Sequence, residues 1–263
     1  MSHTDPGHPP SASAHRPPMV ARAALFVAAV TIGAILVGAL GATAGLLAPL
    51  VGFLLFAAAM VLGSILALLL GVIGLIVTRQ RAGRPARPGR RPAMTAALIG
   101  AGLLVVLVVL VRRGEDVPAI HDVTTDPDDP PSFVAALSAP GNQGRDLSYP
   151  HGRGEVTALQ REAYPELTSI RLPIPPDQAL RRARQSAEEL GWEVTDVDEN
   201  AGRLEATDTS RVFRFVDDVV VRVRPDGDGS IVDLRSTSRV GESDLGANAA
   251  RIRAFRDLLE PGG

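Results

Sequence analysis

A membrane anchor of three helices followed by a C-terminal α+β domain is the fold class that this 263-residue sequence predicts. Three observations predict it. No Asp, Glu, Lys, Arg or His occurs from Ala23 to Thr78, and a further uncharged run covers residues 93–111. Beyond Gly114 charge becomes dense and the apolar residues fall into strand and helix periods.

Each apolar run suffices to cross a bilayer, whose hydrocarbon core takes about 20 residues of helix. The spans are placed at about residues 23–47, 50–78 and 93–111, with Pro49 at the break that a tight hairpin needs. Residues 1–22 read as a disordered cytoplasmic leader. The loop 79–92 holds Arg79, Arg81, Arg84, Arg87, Arg90 and Arg91 and no acid, and loops of that kind stay cytoplasmic. Three crossings then put everything beyond Arg113 outside. The expected location is the bacterial inner (cytoplasmic) membrane, multi-pass, with the N-terminus cytoplasmic and the C-terminal domain periplasmic. Arg112 and Arg113 oppose this scheme, two charges against six. A cleaved signal peptide competes for the first run, because Ala42 and Ala44 offer small residues at a cleavage site. The long leader and the length of the run favour a retained span.

Gly41 and Gly45 form a Gly-x-x-x-Gly pair that would let helices approach closely, including those of a second copy in a homo-oligomer. Gly and Ala are so common here that chance spacing is the plainer reading. No ionisable group lies at membrane depth, where pumps and ion-coupled transporters need one. The spans therefore read as an anchor whose partner is the lipid bilayer.

Charge divides the chain as hydropathy does. Through Arg113 there are ten arginines and one acid, Asp5; the remainder has 17 arginines and 28 acids, a formal charge of −11. A domain of that sign repels nucleic acid and anionic lipid, so no nucleic-acid partner is expected. Cysteine is absent, which excludes disulfides, thiol nucleophiles and thiolate metal sites. Lysine is absent as well, which excludes Schiff-base, P-loop and Ser-x-x-Lys chemistry.

Residues 112–167, rich in Pro, Asp and Gly, read as an extracytoplasmic linker and lead-in. Asp122, Asp126, Asp128 and Asp129 beside His121 supply the carboxylates of a calcium site. The run lacks the loop glycine and closing Glu of a calcium hand, and Pro127, Pro130 and Pro131 favour extended solvated chain. No metal is expected.

The domain is placed at residues 168–263. A strand over 168–172 leads, past Pro175 and Pro176, into a helix whose Leu180, Ala183, Ala187 and Leu190 share one face and which Gly191 ends. Strands are expected over 192–197, 203–209 and 212–216. A hairpin then joins 219–224 to 231–238 across Pro225 to Gly229. If Arg224 faces Ile231, Arg222 opposes Asp233 as an ion pair on the exposed face, while Val219, Val221, Val223, Val232 and Leu234 share the buried one. Ser243 is expected to cap a final helix with the stripe Leu245, Ile252, Phe255 and Leu259. The sum is an antiparallel sheet of about five strands with two helices packed on one face.

The densest polar constellation comprises Arg235, Ser236, Ser238, Arg239, Ser243, Asp244, Asn248 and Arg251, with Asp217 and Asp218 upstream. Two readings stay open. The strand end and helix N-terminus would hold a phosphate or carboxylate, or Arg239 and Arg251 pair internally with Asp217, Asp218 or Asp244. An enzyme would use Asp217 and Asp218 as acid and base, yet neighbours on a strand point to opposite faces unless a bulge intervenes. His121 and His151 stand in irregular chain, and no Gly-x-Ser-x-Gly elbow or helical His pair exists. No catalytic residue and no cofactor is assigned.

The run Arg235-Ser-Thr-Ser-Arg239-Val-Gly241-Glu-Ser243-Asp244-Leu-Gly246-Ala-Asn248 joins two further segments, Phe215-Val-Asp217-Asp218 and Ile120-His-Asp-Val-Thr-Thr-Asp126 ahead of Pro130-Pro131-Ser-Phe133. Together they resemble the bacterial family catalogued as domain of unknown function 1499, over residues 118–259, and the multi-span N-terminus resembles its membrane-anchored subset. Many members carry an Asn-Cys-Val-type motif near the domain start, which this cysteine-free chain lacks. The resemblance implies an envelope location and supplies no activity. The leading expectation is an outer domain that binds an envelope protein or an anionic ligand. The alternative is a hydrolase-like membrane-anchored enzyme using Asp and Arg near the strand-to-helix turn.

A periplasm-dependent reporter enzyme fused after Gly263 is expected to be active, and the same reporter fused after Pro92 inactive. Activity confined to the second fusion would reverse the sidedness.

Overall fold

The computed structural model describes residues 18–79, 89–114, 117–149 and 154–260, and the chain forms two compact units, one of apolar helices and one holding the C-terminal domain. Most of the leader, the loop arginines Arg81, Arg84 and Arg87, and His151 lie outside the described residues.

Helix α1 covers Met19–Thr43; α2, Pro49–Ala58, continues through a π turn, Ala59–Gly63, into α3, Ser64–Val77; α4 covers Arg90–Gly114. Three helices of 25, 29 and 23 residues are long and apolar enough to cross a membrane. Their ends differ from expectation for local reasons. The first stops at Thr43 because the turn that follows opens at Gly45, whose φ of +72° favours glycine. The second starts at Pro49, where a missing N–H costs nothing. Arg90 and Arg91 ride on the first turn of α4 rather than in a loop.

Small residues bring these helices together. Ala24, Ala28, Ala67 and Ala96 form a buried cluster. A Cβ at Gly71 would fall 2.5 Å from the Ala97 nitrogen, and one at Gly38 2.6 Å from the Gly52 carbonyl oxygen. Lipid supplies no hydrophobic drive between helices, so close backbone approach has to. At Gly45 of the Gly41-x-x-x-Gly45 pair, nothing in the same chain lies within 4 Å of an added Cβ.

In the domain, strands β1 (Asp122–Thr124), β2 (Ile170–Leu172), β3 (Glu193–Asp198), β4 (Arg203–Thr209), β5 (Val216–Asp226) and β6 (Gly229–Ser238) make one antiparallel sheet in the order β1-β6-β5-β4-β3. Strand β2 pairs with β6 alongside β1. The sheet has six strands rather than five, because residues expected to be lead-in supply β1. Residues 212–215 are not a strand, and Val216 opens β5: Arg214 has a φ of +58°, and Ser210 closes a tight loop by donating its N–H to the Phe215 carbonyl. The hairpin register is the expected one, Arg222 opposite Asp233 and Arg224 opposite Ile231.

Helices α6 (Pro176–Glu189) and α7 (Ala247–Leu259) cover one face. Leu180, Ala183 and Ala187 from α6 and Ile252, Phe255 and Leu259 from α7 bury against Leu204, Val219, Val221, Val223, Val232 and Leu234. Trp192 stacks on Phe255 at 5.3 Å between ring centroids and ties the end of α6 to α7. A third helix, α5 (Gly154–Ala163), guards the open edge of β1. Gln160 accepts from the Thr124 N–H and donates to the Thr124 carbonyl, supplying the pair of bonds another strand would make.

The opposite face is not solvated. Residues 126–149 lie across it, and Phe133, Ala136 and Leu147 bury against Val220. The expected exposed ion pair is therefore sheltered, Asp233 being fully buried and held by Arg222 and Arg224 at 3.0 and 2.7 Å. The acidic knot serves that layer: Asp126 and Asp129 meet Arg222 and Arg224, and Asp128 meets Arg161. Among the described residues no cluster of His, Asp or Glu could hold a metal ion. Glu205 of β4 pins the covering layer by accepting the backbone N–H groups of Val134, Ala135 and Ala136 at 2.7, 3.0 and 2.8 Å.

Glu205→Ala would leave three sheltered amides without their acceptor, so it is expected to cost about 2–4 kcal/mol. Limited proteolysis should cut within 126–149 before the sheet melts; global melting with no early cut there would show that Glu205 does not hold this layer.

Candidate functional site

Strand alternation divides the constellation between the two faces of the sheet. Even-numbered positions of β6 and odd-numbered positions of β5 look toward the helices, and their neighbours look toward the covering layer. Asp217 and Asp218 consequently part company, as the sequence required.

On the helix side, Asp217, Ser236, Ser238, Asn248 and Arg251 close into one network. Arg251 donates from Nη2 to Asp217 at 2.6 Å, from Nε to Asp208 at 2.7 Å, and from Nη1 to Ser236 Oγ and Asn248 Oδ1 at 2.9 and 2.6 Å. Ser236 Oγ donates in turn to Asn248 Oδ1 at 2.6 Å, while Asn248 Nδ2 donates to Ser238 Oγ and to the His121 carbonyl, each at 3.0 Å. All five residues are buried. The asparagine thus fastens α7, β6 and the residue before β1 at one point. Burial pushes the Asp217 carboxyl up from its ordinary value, against the neighbouring Arg251 charge that pulls it down.

On the covering side, Asp218 is gripped by Arg239 from Nε and Nη2 at 3.0 and 2.7 Å, by Asn142 Nδ2 at 3.0 Å and by Arg145 at 3.3 Å. The grip holds Arg239 above its ordinary pKa. Gly141 fits here because a Cβ would strike the Arg239 guanidinium. Arg235, 2% exposed, makes a bidentate pair with Asp122 at 2.9 and 2.7 Å and donates to the carbonyls of Leu147 and Pro131. Its guanidinium carbon lies 5.0 Å from the Phe133 ring centroid and 5.3 Å from that of Tyr149, within cation–π range of both. Burial raises the Tyr149 phenol, which stays neutral.

Ser243 stands apart from both networks and does not cap α7. Asp244 does so, its carboxylate accepting the N–H groups of Gly246 and Asn248 at 2.8 and 2.7 Å, with Gly246 in the left-handed region as the N-cap residue. An acid already occupies the anion position at that helix start.

Arg235 borders a groove of about 540 Å³ formed by the covering layer, lined by Ser132, Phe133, Leu137, Arg145, Asp146 and Tyr149 among others. Asp217, Asn248 and Arg251 lie on the other side of the sheet. Sequence reasoning missed Asp122, Asn142, Arg145, Glu205 and Asp208 as partners of the constellation. A signal was present in the alternation of β4 and β5: Arg203, Glu205, Asp218 and Arg222 fall on one face, opposite a face that holds Leu204, Ala206, Val219, Val221 and Val223.

A family model described as protein of unknown function (DUF1499) matches residues 122–259, slightly more than half of the chain. The chain belongs to this family. The match begins at the first residue of β1, so the DUF1499 domain includes the covering layer and the Asp122 that neutralises Arg235. A comparison with curated proteins found no match. Both polar networks of the DUF1499 domain join residues distant in sequence, and each ties its face of the sheet to what covers it.

Asp217 carries a pH signature. Between the ordinary carboxylate value of 3.8 and the raised folded value, the folded state keeps a proton that the unfolded chain has released. Its contribution to stability therefore falls as pH rises through that window. The stability advantage of wild type over Asp217→Asn is expected to shrink as pH rises from about 4 to 7, read from denaturant midpoints; an advantage that widens would make Arg251 pairing the stronger influence.

Proposed function

We propose that this protein is a membrane-anchored binding module of the bacterial envelope, whose outer domain docks a protein partner at the groove beside Arg235. The groove itself carries the reading. Its lining joins the aromatic rings of Phe133 and Tyr149 to two arginines, Arg145 and Arg235, and to Leu137, which is 58% exposed. Aromatic and arginine anchors beside an exposed leucine, rimmed by Ser and Asp, are the chemistry of protein interfaces.

The enzyme alternative rests on Asp217 and Asp218, which lie on opposite faces of the sheet, each held by an arginine. Neither lines the groove. With no ionisable group at membrane depth, the helices serve to fix the module in the inner membrane, with the domain on the periplasmic side.

Crosslinking in native membranes, followed by pull-down, is expected to recover a protein adduct with wild type and severalfold less with Leu137→Arg or Ser132→Trp, at unchanged melting temperature. Equal recovery from both variants would remove the groove as the docking site. Turnover by the purified chain that Asp217→Asn abolishes would favour the enzyme.

A further inference from the structure

We infer that two loops of the domain, residues 210–215 and 239–246, form a rim that rests on the headgroup layer of an anionic bilayer, the bilayer that the chain's own helices cross. The antiparallel register gathers the start of β1, the end of β4, the start of β5 and the end of β6 at one end of the sheet. Both loops spring from that end. The chain also arrives there, since α4 finishes at Gly114 and β1 begins at Asp122. Eight residues of extended chain reach no more than about 28 Å, and a Cβ at Gly114 would lie 4.0 Å from Leu245. The loop 239–246 is fastened to the arriving chain, the Asp244 N–H donating to the Ile120 carbonyl at 3.1 Å.

The rim gathers exposed apolar side chains from both loops. Val212, Val240 and Leu245 are exposed by 48%, 47% and 73%. Its charge also reverses the domain's acidic sign: Arg211 and Arg214 are exposed, against one exposed acid, Glu242. Asp244 is taken up in capping α7. Apolar tips beside arginines fit an anionic bilayer surface, where the tips enter the acyl boundary and guanidinium groups meet phosphate.

The loops hold this display rigidly. Arg214 and Leu245, at φ of 58° and 52°, are the non-glycine residues with left-handed backbone among those described. Ser210 braces Arg214 and Phe215: its carbonyl accepts the Arg214 N–H at 3.0 Å and its hydroxyl the Phe215 N–H at 2.8 Å. Backbone of this kind persists where the surrounding structure enforces it, and it clusters at functional surfaces.

The cysteine-free chain admits single labels. Full-length Val212→Cys, Val240→Cys and Leu245→Cys would carry a nitroxide in nanodiscs of phosphatidylcholine with phosphatidylglycerol. Asp228→Cys, in the β5–β6 turn at the other end of the sheet, is the aqueous control. The three rim labels are expected to show oxygen accessibility severalfold higher, relative to a soluble nickel chelate, than the control. Omitting phosphatidylglycerol, or adding Arg211→Glu with Arg214→Glu, should lower that ratio while the fluorescence of buried Trp192 reports an intact fold. Rim labels as aqueous as the control would overturn the proposal. So would shielding from both reagents, the mark of a protein contact, or a ratio indifferent to both the anionic lipid and the arginines.

Discussion

Arginine 235 is the constraint around which the domain closes. A guanidinium removed from water in the middle of a strand costs several kcal/mol unless its charge and its N–H groups are all met. Asp122 meets the charge, two carbonyls of the covering layer take further donors, and Phe133 and Tyr149 flank the plane. None of these partners lies in the continuous run of strands and helices that begins with β2. The irregular stretch from Asp122 to Tyr149 must fold back over the sheet before the sheet's own charges are tolerable. The region matched by the family model likewise begins at Asp122.

Once the second layer is in place, the charged residues of the longest motif have little left for outside chemistry. Arg251 and Asn248 lock α7 to β6, and Arg239 locks Asn142 and Arg145 to Asp218 through their shared carboxylate. Breaking such a pair by removing one partner is costly, while the intact pair adds little net stability. What the networks supply is uniqueness of assembly, because a slipped β6 would strand Arg235 and Arg239 on the wrong face. The surfaces left to meet a partner are then formed by the covering layer and by the loops at the sheet's ends.

Much of the fold could be read directly because its signals are local. The three apolar runs, the hairpin register of Arg222 against Asp233, and the stripe of α6 each depend on residues within one or two elements. The covering layer escaped notice because nothing in residues 126–149 is periodic; its order comes from Glu205 and Asp218, some 70 residues onward. Proline and aspartate there mimic solvated linker until the arginines opposite them are placed. Ser243 misled by composition: Ser and Asp both suit an N-cap, and the left-handed Gly246, with Asp244 reaching over it, decided the start of α7. Among the candidate residues, the grouping of Asp217 apart from Asp218 followed from strand geometry alone. The partners of each required tertiary structure.

Gln160 has a bearing on how copies of this chain behave side by side. Anchoring confines a protein to a plane and raises the frequency with which neighbours collide, a setting in which an unpaired sheet margin invites polymerisation. One terminal strand is sealed by the amide of that glutamine. The other, β3, is interrupted by an irregularity between Val194 and Asp196 and carries Glu193, Asp196 and Asp198. Crowded copies therefore find mutual repulsion at one margin and, at the other, a Thr124 whose backbone is already taken.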